Sequence, residues 1–450
     1  GCWIRKELIK RSNRSSVVIM SMHRRRTTAN QKHDDEVDSE LGNGKNNSGI
    51  GAASSHKSSF ADSVLNVVIA LVLAVSFVMA FFVLSSVSTG PNDVPIAKAE
   101  PSIKRVPMLL NRKNDLTVNL KPIFGQHRAD ADAVLALAAG YGLNTYIQFI
   151  GSLRQTGYDG DIVLATDTFD KMSDSLKHYL QSDPNLVLYH LEADCTDGRC
   201  QLKNFFYNTT TNLYAPDVRI HRPFATLRFD AYWFWSTQYN SLSNLLLIDS
   251  RDVVFQSNPF QTPSIKQTSP SDVNNGGTLH FYEEKMPIHT SNYNMRWLRA
   301  AGYAKAQIDT FKDEKIICSG VSMGTQIAME KYLETMLFEF DKTQCVNHGC
   351  DQGLHNYVYY SNKLFHNPSI QNVHVHEQGK SDVTNLAGLR HEEKPLRELG
   401  VVIDEGTVVN EDGSIPAIAH QVDRDKELAA YFRKKYNNEA RKVEAQYRAL

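Results

Sequence analysis

The chain has 450 residues, with 49 Lys and Arg against 50 Asp and Glu, a formal net charge of −1 at pH 7. That balance argues against a nucleic-acid-binding protein, which carries a strong basic excess. A hydrophobic fraction of 42% is ordinary for a globular chain and leaves material for a large core, in one large domain with appendages or in two or three domains.

The first element is a membrane span. Val64 to Leu84 is 21 residues without a charge, 15 of them Leu, Ile, Val or Phe. That length matches the hydrocarbon thickness of a bilayer and exceeds the apolar core of a signal peptide. Residues 1–60 hold eleven Lys and Arg, including Arg24, Arg25 and Arg26, against six acids. Although Lys98, Lys104 and Arg105 follow the span, the balance leaves the basic tail in the cytosol and translocates the rest, as a type II single-pass protein. The expected layout is a cytosolic, disordered tail over 1–62 and a transmembrane helix over 63–86. A Pro-containing stem follows over 87–130, then a folded lumenal domain over 131–435 and a helical tail over 436–450.

Cysteine placement agrees with translocation. Cys195 and Cys200 in "CTDGRC", and Cys345 and Cys350 in "CVNHGC", are two local pairs. In an oxidising lumen each closes a small loop as a disulfide, and a four-cysteine zinc site is the competing reading. Cys318 is left as a buried thiol, and "NTT" at Asn208 is a glycosylation sequon.

From residue 131 strand and helix patterns alternate. "AVLALAAG" (133–140) is a strand ending in Gly140 and Tyr141, followed by a helix over 144–157. "DIVLATD" (161–167) is a second strand ending on Asp167, then a helix over 171–182 and a third strand over 185–191. A longer helix over 224–240, with Trp233 and Trp235 in its core face, leads into the apolar run Leu245 to Ile248. This βαβαβ rhythm predicts an α/β, Rossmann-like fold, with a mixed, mostly parallel sheet flanked by helices. No G-x-G-x-x-G or Walker lysine motif is present, which disfavours a nicotinamide enzyme or an ATPase.

The run 245–248 ends in Asp249-Ser250-Arg251-Asp252. Residues three apart on a straight strand point to opposite faces about 10 Å apart, so the acids share a cation only if the chain turns between them. Carboxylates suit a hard divalent cation such as Mg²⁺, which takes one or two of them together with substrate phosphates. An Asp–Arg surface pair is the bland alternative. His420, after the apolar run "IPAIA", completes the metal shell or is a satisfied core residue. His374 and His376 alternate on a strand and are structural, or one of them replaces His420 as the ligand.

With these motifs in place, residues 131–432 resemble the GT-A-fold nucleotide-diphospho-sugar glycosyltransferases of the secretory pathway. The family's D-x-D motif, which holds Mn²⁺ or Mg²⁺ against the donor diphosphate, is here D-x-x-D, with one extra residue between Asp249 and Asp252. "CSGVSMGT" (318–325) resembles its small-residue strand beside the acceptor, "DQGLHNYVYY" (351–360) its D-Q…N helix start, and "IAHQVDR" (418–424) its C-terminal metal-binding His. The resemblance implies sugar transfer to a glycan or glycoprotein, at the Golgi membrane or alternatively that of the endoplasmic reticulum. It implies Asp351 and Gln352 as catalytic residues, with an N-cap role the alternative for Asp351. Gly140, Tyr141, Asp167, Arg222, Arg228, Ser250 and Arg251 would bind the donor, and Ser319, Gly320 and Asn356 the acceptor sugar. Gln352 and Asn356 are expected to bond sugar hydroxyls. Arg228 and Asp230, two apart on a helix, do not share a face, so at least one is structural. Rivals are an inactive glycan-binding or transferase-chaperone member of the fold, and a lumenal metal-dependent phosphotransferase or hydrolase.

Overall fold

The computed structural model describes residues 116–217, 219–266, 276–392 and 394–449. The expected cytosolic tail, membrane span and the stem up to residue 115 lie outside these. Among the described residues, no helix is long and apolar enough to cross a membrane.

Four strands with apolar centres make the middle of the sheet. β3 (Ala133–Leu137), β4 (Asp161–Thr166), β5 (Leu186–His190) and β11 (Asn244–Ile248) pair in parallel, with Leu245 opposite Ala133, Ala133 opposite Asp161, and Ile162 opposite Leu186. Their side chains alternate between two cores. Ala133 and Leu135 face one, Val134 and Ala136 the other. Full burial of such aliphatic side chains contributes roughly 1.5–3 kcal/mol each, so a strand covered on both faces tolerates no polar alternation.

The sheet is completed by β2 (Pro122–Phe124), β13 (Gly277–Pro287), β14 (Lys315–Thr325) and β15 (Ile370–His376), in the order β15-β13-β14-β11-β3-β4-β5-β2. Four of its seven neighbour pairs are parallel, and the β11–β14, β13–β14 and β2–β5 pairs are antiparallel. This is the mixed, mostly parallel α/β sheet expected. From β3 the chain steps outward through β4 and β5, then returns to the other side of β3 with β11. The strand order reverses there, and in open α/β sheets ligands sit beyond the carboxyl ends of the strands at such a switch point.

Helices Phe224–Ser236, Gln326–Thr343 and Cys350–Tyr360 cover one face. Trp233 and Trp235 are buried there, as the helix-core reading expected. On the other face lie a helix over 143–155, whose turn Ile147–Gly151 is π-helical, and helices Asp174–Gln181 and Lys426–Arg448. Helix Lys426–Arg448 is capped by the Asp425 side chain on the Leu428 N–H, and buries Leu428, Phe432, Tyr436 and Ala440 at a spacing of four. It runs without a break through residue 435, so the segment expected as a separate tail belongs to the folded unit. The segment expected as stem likewise enters the fold before residue 131: β2 closes the sheet edge against β5, and the His127 ring bonds the Tyr189 and Tyr239 hydroxyls at 2.7 and 2.9 Å.

Smaller sheets decorate this frame. β1 (Leu116–Val118) pairs β8 (Phe206–Asn208), which pairs β9 (Leu213–Tyr214). β6 (Ala193–Thr196) and β7 (Arg199–Leu202) form a hairpin beside β10 (Arg222–Pro223). The hairpin is closed by a Cys195–Cys200 disulfide, and a second disulfide joins Cys345 to Cys350, so the zinc alternative does not hold. Cys318 is the buried free thiol among the described residues. β12 (Val253–Phe255), β16 (Val383–Asn385) and β19 (Ile418–His420) make a third sheet, and β17 (Val402–Ile403) pairs β18 (Thr407–Val408). In the third sheet His420 lies opposite both Val253 and Asn385.

Candidate functional site

Beyond Ile248 the chain turns as the acid pair requires. The Asp249 N–H bonds the Gly320 carbonyl at 2.9 Å, and the Asp252 carbonyl accepts the Val422 N–H at 3.0 Å. The Ser250 hydroxyl donates to the Leu137 carbonyl at 2.6 Å, and Gln148 donates to the carbonyls of Arg251 and Val253, both at 3.1 Å. These bonds fold the loop back so that Asp249, Asp252 and His420 each offer one ligand atom within 4.8 Å of the others, the one such group among the described residues. His420 Nε2 lies 3.8 Å from Asp249 Oδ2 and 4.0 Å from Asp252 Oδ1. Two bonds of about 2.1 Å to a shared Mg²⁺-sized cation span that distance.

Three further observations test whether these residues fit a cation. His420 is fully buried, and its Nδ1 is 2.8 Å from the Asn385 amide oxygen. Asn385 is oriented by donating its own amide to the Glu283 and Tyr282 carbonyls at 2.9 and 3.3 Å, so His420 Nδ1 carries the proton in this contact. Nε2 is thereby turned toward the two acids and has no hydrogen-bond partner. Finally, a Cβ on Gly320 would lie 2.7 Å from His420 Cε1 and 2.8 Å from Asp249 Oδ2, so any other residue fills the space between the donors. The donor set of two carboxylates and one imidazole fits a divalent metal ion.

Electrostatics point the same way. Burial opposes charge on His420, yet the neighbouring Cys318 sulfur, Asp249 and Asp252 outweigh it and push its pKa up to about 10. Burial likewise opposes ionisation of Asp249, but the Arg228 guanidinium and His420 hold its carboxyl well below the usual range. At neutral pH the two carboxylates therefore hold a positive charge on His420, and a metal ion bound between them would replace the proton on Nε2.

Around this centre the expected residues divide. Arg228 is buried and bonds both Asp249 Oδ1 and Asp351 Oδ2, the latter at 2.8 Å. Asp351 is the second residue of its helix. The N-cap is Gly349 (φ 83°), with the Trp297 ring packed where a Cβ would stand, so the N-cap role for Asp351 does not hold. Asp351 is buried and faces Arg228, which joins it to Asp249. Gly140, Tyr141 and Asp167 follow β3 and β4, where the Gly140 N–H (φ 82°) donates to the Asp167 carboxylate at 2.7 Å. Tyr141 is partly buried beside the second core. Arg251 reaches Asp423 at 3.0 Å and Asp252 at 3.6 Å.

Other expectations are corrected. The Gln352 amide accepts the Ser319 N–H at 2.8 Å and donates to the Ile317 carbonyl at 2.5 Å. Asn356 bonds the N–H and carbonyl of Ile317, both at 2.9 Å. Both amides thus serve β14, where its register with β13 is broken, rather than sugar hydroxyls. Ser319 and Gly320 contribute backbone, Ser319 by its links to Gln352 and Arg228, Gly320 as the wall of the cation cradle. Arg222 is buried in β10 with Asp341 and, at 4.0 Å, Asp230, and is not joined to the acid pair. Asp230 also pairs with Arg219 at 2.6 Å, which makes it the structural member of the Arg228–Asp230 couple. His376 bonds His280 at 2.9 Å and His374 stacks on His280, so neither replaces His420. Asn208 starts a turn, its side-chain oxygen accepting the Thr210 and Thr211 N–H groups.

Sequence reasoning missed Asn385, which carries no motif, and Arg424, which lies in the quoted "IAHQVDR" and sits 3.8 Å from Asp252. A basic residue four positions after a ligand His was the available signal.

No protein-family model and no curated relative matches the chain. Among solved structures, the bifunctional glycosyltransferase WbbM overlaps 70% of this chain at 13% identity with a TM-score of 0.37. The chain spans half the length of that protein. The galactosyltransferase LgtC, in complex with donor and acceptor sugar analogs, overlaps 68% of this chain and 95% of its own at 11% identity, TM-score 0.34. At scores this low the overlap carries no functional conclusion.

Proposed function

We propose that this protein is a divalent-metal-dependent glycosyltransferase of GT-A-like fold, moving a sugar from a nucleotide-diphosphate donor to a glycan or glycoprotein. The observation that carries this reading is the Asp249–Asp252–His420 group, kept open by Gly320, at the switch point of the sheet. Asp249 Oδ2, Asp252 Oδ1 and His420 Nε2 would hold Mn²⁺ or Mg²⁺. Such a cation, when bound, neutralises the charge that develops on a leaving diphosphate.

The chain's own groups have distinct tasks in this reading. Arg251 and Arg424 lie within 4 Å of Asp252 and offer guanidinium forks to phosphate oxygens on the rim. The loop after β3, its Gly140 open to solvent with nothing within 4 Å of a Cβ, receives the nucleoside, with Tyr141 and Asp167 beside it. Asp351, across Arg228 from the acids, is placed to take the acceptor hydroxyl proton or to orient the donor sugar. The apolar segment 64–84 and the two disulfides support a single-pass type II protein of the Golgi, its folded part lumenal and Asn208 available for glycosylation.

The test is a thermal-shift panel of nucleotide sugars with and without Mn²⁺. Stabilisation by one nucleotide, dependent on Mn²⁺, supports the reading and names the base. A folded protein that no nucleotide stabilises would sink it.

A further inference from the structure

We infer that Arg228 is a positioning residue that locks the orientation of Asp249 and ties it to Asp351, and that it is not a nucleotide ligand. The inference rests on the metal-site reading above and assigns a task within it.

The two oxygens of Asp249 have different neighbours. Oδ1 takes the Arg228 Nη1 donor, while Oδ2 faces His420 Nε2 at 3.8 Å and the open space at Gly320. One ion pair therefore fixes the carboxylate torsion and decides which oxygen is presented to a cation. Partners of this kind orient a ligand without touching the ion.

The second nitrogen of the same guanidinium is committed as well. Nη2 donates to Asp351 Oδ2 at 2.8 Å and lies 3.5 Å from the Ser319 carbonyl. Nη1 and Nη2 are each engaged by a carboxylate, and Nε is buried, away from an incoming phosphate in solvent. Side-chain exposure agrees: Arg228 is 10% exposed, whereas Arg251 is 33% and Arg424 17%. The planar fork holds two carboxylates at one separation, which a lysine ammonium on a flexible stem cannot reproduce. Asp351 comes from a helix more than 100 residues downstream of β11, and Arg228 links it directly to the acid pair.

The experiment uses the full-length chain and Mn²⁺ alone, followed by UDP and GDP at saturating Mn²⁺, by calorimetry. Arg228→Lys is expected to weaken Mn²⁺ binding about 10- to 100-fold, the range seen when a ligand's orienting partner is lost. At saturating Mn²⁺, the affinity for whichever nucleotide binds the wild type stays within about twofold. Ethylguanidinium added to Arg228→Ala restores most of the Mn²⁺ affinity. Unchanged Mn²⁺ binding in Arg228→Lys, with nucleotide affinity lost, overturns the inference alone; a wild type that takes no Mn²⁺ overturns the metal-site reading with it. If the Arg228 variants do not fold, Asp351 separates the cases. Asp351→Asn keeps an oxygen for Arg228, and Asp351→Leu removes it with the same loss of charge. Weaker Mn²⁺ binding in the Leu variant than in the Asn variant supports the inference, and equal binding in the two overturns it.

Discussion

The Asn385 amide oxygen accepts the Nδ1 proton of His420 at 2.8 Å, and that bond decides what His420 can do. An imidazole whose Nδ1 is held as a donor turns its Nε2 toward Asp249 and Asp252, where a metal ion would displace the Nε2 proton and take the lone pair. Asn385→Leu removes no ligand atom yet frees the ring. It should weaken Mn²⁺ binding by about 10- to 100-fold, measured by calorimetric titration. Wild-type affinity in this variant would show that ring orientation does not matter.

Gly320 leaves room that no other residue can. A methyl group there meets both His420 and Asp249 at under 3 Å. Gly320→Ala should abolish Mn²⁺-dependent stabilisation and reduce transfer by more than about 100-fold, near the cost of removing a preorganised charge-stabilising group. A variant that is folded by circular dichroism and retains the Mn²⁺ shift would contradict the placement of the ion.

The two acids should not be dispensable. Asp249→Ala and Asp252→Ala are each expected to lower sugar transfer at least about 100-fold. Full activity in either, assayed with the nucleotide sugar identified by thermal shift, would remove the metal–diphosphate reading.

Gln352 offers a contrast, because its amide is committed to the backbone of β14. Gln352→Ala leaves the half-buried Ser319 N–H without its acceptor, while the Ile317 carbonyl keeps only its bond from Asn356. The expected cost is about 1–3 kcal/mol of stability, read from urea unfolding. Loss of turnover without loss of stability would instead make Gln352 a catalytic group.

Two buried histidines make stability depend on pH. Burial, aided by the neighbouring His376 and His374, pushes His280 down to about 3, and burial, aided by the Arg228 charge, pushes His355 down to about 3. Both fall below the ordinary value of 6.5, so the unfolded chain binds more protons than the folded one between those limits. The contribution of these two groups is full above pH 6.5 and is lost as pH falls toward 3, with a slope approaching about 1.4 kcal/mol per pH unit for each. Urea unfolding at pH 7 and pH 5 should show the loss, and His280→Gln or His355→Gln should flatten it. An identical slope in both variants would assign the effect to other groups.

The sequence by itself determined the elements whose signals are local. The apolar runs of β3, β4, β5 and β11 could be covered only on both faces, which dictated a largely parallel sheet between two helical layers. The acids after β11 needed a turn to converge, and Cys195–Cys200 and Cys345–Cys350 were close enough in the chain to pair without long-range folding. Only the tertiary structure decided the partners. Val253, Asn385 and His420 meet through strand pairings between segments more than 30 residues apart, which no periodicity encodes. The family resemblance implies ligand-binding roles for Arg228, Gln352 and Asn356, yet three-dimensional packing set buried carboxylates and a broken strand register against them. A buried polar group bonds whatever the fold places within reach, because leaving it unpaired is costly. That neighbour is a property of the folded chain and not of the residue's place in the sequence.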